Sequence, residues 1–184
     1  MPDTLSKERP ITSRQAQGLT AYWRELVNKT GDIPSRVDFD PIAIPTILPS
    51  IFLIERLQQD TYRFRLQGTE FADRGVSDLT GIVLTSEKAK PGQSPLFDIL
   101  TRVLGTPTGL HILGVEQSEK GRQSLVEYVA LPLLDTNGMP RFVVGSASPL
   151  ATLGYDEDST KQGPLVEVHG LQEIPIAERE GKVA

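Results

Sequence analysis

Four carboxylates, Asp73, Asp78, Asp98 and Glu127, are the residues whose type and setting could do chemistry. A carboxyl group beside an apolar cavity can carry a proton, as in isomerases, when burial weakens it as an acid. Asp73 and Asp78 stand in cap or turn contexts, and Asp98 stands on the polar side of a helix. Glu127 shares a strand face with Leu125 and Val129 and is the one acid in apolar company. The chain has two histidines and no cysteine. That excludes disulfides, thiolate catalysis and cysteine-ligated zinc or iron–sulfur sites, and two histidines argue against catalytic zinc. No serine, histidine and acid arrangement is evident. His111 lies on a strand, and spacing alone lets it face inward with Leu113 and Val115 or outward.

The elements that must position these groups centre on Tyr62 to Gly81. Tyr62, Phe64 and Leu66 alternate with Arg63, Arg65 and Gln67, the period of a half-buried strand. Gly68 permits a sharp turn, Thr69 can cap a short helix, Gly75 ends it, and Leu79 is the single apolar residue of the next turn. A strand that breaks into short helical turns, each held by one apolar residue, wraps a small cavity. Ile51 to Leu57 precedes it across a hairpin loop at Gln58-Gln59-Asp60. With Glu55 opposite Arg63, the spacing predicts Phe52, Ile54, Phe64 and Leu66 inward and Arg63 and Arg65 outward. The two arginines then form either a solvated face or a patch for a ligand or partner.

Upstream, Thr12 and Gln15 fit a capping box, and Leu19, Tyr22, Trp23, Leu26 and Val27 recur at helical spacing. The prediction is an amphipathic helix over 13–29, with 1–12 flexible. Trp23 either seals that helix onto the sheet or, with Tyr22, forms a partner surface. Asp32 to Pro49 reads as a proline-punctuated plug with Ile42, Ile44, Ile47 and Leu48 buried. Ile82 to Gln93 reads as irregular. Ser94 as cap, Pro95, and the stripe Leu96, Ile99, Leu100, Val103, Leu104 mark a helix ending at Gly105. Strands follow at about 108–117, 123–134 and 140–150, the last two joined by the turn Asp135-Thr136-Asn137-Gly138. The fold class is α+β, in the order helix, two strands, short helices, longer helix, three strands.

Apolar residues make up 38% and charged residues 23% of 184, ordinary for one soluble domain. Residues 1–150 carry 17 acids and 16 bases, and residues 151–184 carry 7 acids and 3 bases. A near-neutral body has no general attraction for nucleic acid. The run Pro41 to Ile54 is too short, and too broken by proline, to span a membrane, and no apolar segment follows the N-terminal charges, so a cytoplasmic location is expected. The acidic tail 151–184 is expected to be partly disordered, or docked through Leu165, Val168, Leu171 and Ile174.

The element order and the stretches TAYWREL, GDIPSRVDFDP, IPTILPSIFLIE, YRFRLQGTEF with DLTG, and LPLLDTNG resemble a compact, often stand-alone bacterial subfamily of the PAS domain, long filed as a domain of unknown function. The resemblance runs from about Leu19 to Leu150. It implies a five-stranded antiparallel sheet with short helices forming a cup on one face, after the N-terminal helix. It also implies a sensory or interaction module without enzymatic activity. The photochemistry of flavin and coumaroyl PAS domains needs a cysteine, which is missing here. Haem-binding members commonly offer a histidine from the last cup helix or close after it, and the helix up to Leu104 contains none, so no cofactor is expected. No output domain is recognisable.

The leading expectation is therefore regulation by binding a small apolar ligand, a signalling partner or a second copy of the chain. The candidate cup residues are Phe64, Leu66, Phe71, Leu79, Leu100, Leu104, Tyr128 and Ser146, with Tyr128 and Ser146 as the polar contacts. The candidate partner surface is Tyr22, Trp23, Arg63 and Arg65. The alternatives are a small cup enzyme using a buried carboxylate, and a scaffold whose cup is filled by its own side chains.

Overall fold

In the computed structural model the described residues are 9–85, 95–157 and 163–176. The helices are α1 (Arg14–Thr30), α2 (Thr69–Asp73) and α3 (Pro95–Gly105). The strands are β1 (Ile51–Gln58), β2 (Thr61–Gln67), β3 (Val83–Thr85), β4 (Gly109–Gln117), β5 (Arg122–Leu134), β6 (Pro140–Tyr155) and β7 (Gly163–Ile174). They form one antiparallel sheet in the order β3-β2-β1-β6-β5-β4-β7. The expected α+β class is found, but among the described residues the sheet has seven strands rather than five. The two additions are edge strands: β3 lies in the stretch read as irregular, and β7 in the stretch read as tail.

β7 is a strand because β4 makes room for it. A Cβ on Gly109 would lie 2.9 Å from the Cβ of Ile174, and one on Gly114 would lie 2.3 Å from Leu165 Cδ1. Two glycines on β4 thus admit the side chains of the neighbouring strand.

Each face of the sheet has its own core. On one face α2 and α3 enclose Phe52, Ile54, Phe64, Phe71, Leu100, Ile112 and Tyr128. On the other, α1 buries Ala16, Leu19, Trp23 and Leu26 against Leu53, Val129, Leu131 and Val144. Trp23 is fully buried, and its Nε1 donates to Pro132 O at 3.0 Å, which fixes α1 to β5. The cap of α1 is Ser13, whose Oγ accepts from Ala16 N at 3.3 Å, rather than Thr12. Gly31, at φ 74°, closes the helix by donating to Val27 O.

The connector after α1 is the expected plug, with Phe39 and Ile47 in the α1-side core. Asp40 Oδ1 accepts from Ile42 N at 2.9 Å and caps a single 3-10 turn, Pro41–Ala43. Ile42 is exposed, contrary to expectation, because that turn points it away from the sheet. Thr69 is the first residue of α2 and makes no cap; Gly68 precedes it with its backbone against Pro49 O, where a Cβ would come within 2.1 Å. The proposed Ser94 cap and residues 1–8, 86–94, 158–162 and 177–184 lie outside the described residues.

Candidate functional site

The cup is built by alternation. Ile54 and Phe64 are cross-strand partners, as are Tyr128 and Ala147, and all four point toward α3. Helix α3 lays Leu96, Ile99 and Leu100 over them, α2 adds Phe71, and β7 adds Pro164 and Leu165. What remains between these side chains is about 20 Å3, space on the order of one water molecule. Phe52 and Phe71 meet edge to face at 6.5 Å, and Tyr62 and Phe97 at 5.3 Å, geometries that aromatic rings favour in a packed core.

The candidates are not all brought together. Phe64, Phe71, Leu100 and Tyr128 line the cavity; Leu104 is buried in the same core, and Leu79 packs against it half-buried. Leu66 does not belong there. The β1–β2 register slips between Leu53 and Ile54, so Arg65 is the extra residue of a bulge, and Leu66 pairs with Leu53 on the α1 side, 43% exposed. Ser146 is also on the wrong face: its partner Val129 belongs to the α1-side core. Its Oγ, with those of Thr20 and Ser148, is buried without a hydrogen-bond partner among the described residues.

Of the partner-surface candidates, Trp23 is sealed in the core. Tyr22 is half-buried, its ring 5.6 Å from that of Phe39 and its hydroxyl accepting from Asp40 N. Arg63 does face Glu55 across the hairpin, and Arg65 lies exposed 3.6 Å from the same carboxylate.

The polar rim of the cup holds two residues that sequence reasoning missed, Arg74 and Glu116. Arg74 Nε and Nη2 donate to the two oxygens of Glu116 at 2.8 and 2.9 Å, and its guanidinium stands 4.8 Å over the Phe71 ring. Burial works against the charge of Arg74, but the bonds to Glu116 outweigh it and hold the guanidinium above its ordinary value. Tyr128 OH donates to Pro164 O, and burial followed by the Glu116 charge pushes this phenol well above its usual range. Glu116 sits in the alternating set with Leu110 and Ile112, a signal available in the sequence. Gln67 reaches from β2 to Ser77 O at 2.9 Å and ties down the loop before Leu79.

None of the four candidate acids lines the cavity. Asp73 and Asp78 are exposed, Asp78 accepting from Thr80 N, and Asp98 is half-buried on α3. Glu127 is buried, but on the α1 face, where it accepts from Thr12 N at 2.9 Å, Thr12 Oγ1 at 3.0 Å, Ser13 N at 2.6 Å and His111 Nε2 at 2.9 Å. Burial pushes its carboxyl up, yet the bonds from Ser13, Thr12 and His111 prevail and bring it down to about 2. It is a firmly ionised anchor for the positive end of α1, the opposite of a proton shuttle. His111 thereby faces away from the cup. No cluster of three or more histidine and acidic residues is placed to hold a metal among the described residues, and no helix there is long and apolar enough to cross a membrane.

No curated protein matches the chain, and no solved structure does. A family model described as a PAS domain matches residues 11–148, from the approach to α1 into the middle of β6. With a sheet backing a cup of short helices over that same span, the chain belongs to the PAS domain family.

Proposed function

We propose that this PAS domain is a non-enzymatic, cytoplasmic regulatory module that acts by contact with a signalling partner or with a second copy of itself. In this reading the cup is a packed core and not a ligand chamber. PAS domains are in general sensory modules that often mediate interactions, and one observation supports contact rather than ligand binding in this one. The free space in the cup is about 20 Å3, whereas small-molecule sites run to roughly 300–1,000 Å3. The two polar side chains that line it are already bonded to backbone oxygens, Tyr128 to Pro164 O and Gln67 to Ser77 O, so neither stands unpartnered for a ligand. Arg63 and Arg65 stay at the surface as candidate contacts, whereas Trp23 does not.

Native mass spectrometry of the protein from its own host, before and after denaturation, tests the reading. The expected species is the polypeptide with a partner protein or a second copy and with no apolar small molecule. A reproducible apolar molecule released on denaturation overturns the packed-cup reading. A monomer alone overturns the contact reading.

A further inference from the structure

Away from the cup, one cleft is large enough for a small molecule. It measures about 540 Å3 and lies between the turn of the β1–β2 hairpin, the C-terminal end of α3 and the start of β6, a volume typical of small-molecule sites. Arg56 and Tyr62, which line it, are cross-strand partners and so project on the α3 side of the sheet. Tyr62 OH and Thr101 Oγ1 are 3.0 Å apart at its wall. Arg56 Nη2 donates to Pro140 O at 2.7 Å, which aims the guanidinium while leaving most of its donors free.

The charged lining divides into two pairs. Arg141 and Asp135 are occupied: Arg141 reaches Glu55 at 2.9 Å, and Asp135 Oδ1 accepts from Asn137 N and Met139 N at 2.8 and 3.0 Å. Arg56 and Asp60 lack a charged partner. Arg56 precedes the hairpin turn and Asp60 lies in it; both line the same cleft and form no ion pair with each other or with any other charge among the described residues. Asp60 holds its place through the turn itself, at φ 56°. A simple anion drawn to Arg56 would meet the Asp60 carboxylate, and a simple cation would meet Arg56. A molecule carrying both charges satisfies both.

We propose that this cleft binds a small zwitterion of the amino-acid class, its carboxylate on Arg56 and the Tyr62–Thr101 hydroxyls and its ammonium on Asp60. Thr101 belongs to α3 and the Tyr62 ring packs on Phe97 of the same helix, so an occupant bears on the helix that covers the cup.

The test is titration calorimetry on the full chain with the standard amino acids one at a time, and with acetate and ethylammonium as half-ligands, each up to about 10 mM. At least one amino acid is expected to bind, with both half-ligands at least about tenfold weaker, and Arg56→Gln and Asp60→Asn each weakening it at least about tenfold. Asn tolerates the left-handed turn, so Asp60→Asn keeps the hairpin and decides the matter even where Arg56→Gln unfolds the protein. The absence of binding by every amino acid overturns the proposal. So does binding that survives Asp60→Asn, or acetate binding as tightly as the amino acids.

Discussion

Replacing Glu127 with glutamine removes one charge from the anchor of α1 and leaves its shape. The carboxyl stands at about 2 against an ordinary 4.5, and each tenfold in acidity is worth about 1.4 kcal/mol, so its ionised form stabilises the fold by at most about 3 to 4 kcal/mol. Solvent near the helix end screens part of this, and a loss of about 2 kcal/mol is expected near neutral pH. The sign follows from the direction of the shift. Folding lowers the carboxyl from 4.5 to about 2, so its contribution is complete above the upper value and disappears as pH falls through the lower one. By about pH 3, two fifths of the neutral contribution remains. Urea unfolding of both proteins at neutral pH and at about pH 3 measures this, followed by far-ultraviolet circular dichroism and by fluorescence of Trp23. That residue is the sole tryptophan and lies on α1 itself, so it reports docking of the helix the substitution loosens. An equal loss at both pH values, or a neutral-pH loss below about 0.5 kcal/mol, refutes the anchor.

Leu100→Ala should cost about 2–5 kcal/mol in chemical denaturation, because Leu100 is fully buried on the cup wall; Leu66→Ala, on the far side of the bulge, should cost under about 1 kcal/mol, and equal costs would put Leu66 back in the cup. Gly18→Ala should raise stability by about 0.5–1 kcal/mol, since a Cβ there meets only Ile47 side-chain atoms at 3.6 and 3.8 Å; a lower thermal midpoint contradicts it. Glu116→Gln should cost about 3–5 kcal/mol by stranding the buried Arg74 charge, and the double substitution with Arg74→Met should recover much of it; additive losses in the double-mutant cycle would show that the pair is not coupled.

Helical and alternating periodicities made α1, the β1–β2 hairpin, α3 and β4 to β6 readable, because each has at least one face with a strong contrast of polarity. Facing failed where the contrast vanished. Val143 and Val144 are adjacent on β6 and both fully buried, one in each core, so hydropathy alone cannot say which way Ser146 turns. Leu66 failed for another reason: strict alternation assumes an unbroken ladder, and the bulge at Arg65 reverses every residue after it. β7 is legible as a segment that could dock through Leu165, Val168, Leu171 and Ile174 but not as a strand, because its exposed positions carry Glu167, His169 and Glu173 and its run includes Gly170, the composition of a loop when no partner is in view. Its signal lay elsewhere in the chain, in the glycines of β4. The Arg74–Glu116 pair joins a short helix to a strand 42 positions later, and nothing local links the two.

The last strand also sets an order of events. β7 follows six others in the chain and lies beyond the family match, yet Pro164 and Leu165 form part of the cup wall and Leu113 faces Gly170 across the sheet. During synthesis, therefore, β4 stays an uncovered edge beside an open apolar basin until the ribosome has released this segment, an interval in which another chain can pair with it. A fragment cut at the family boundary would be held permanently in that interval.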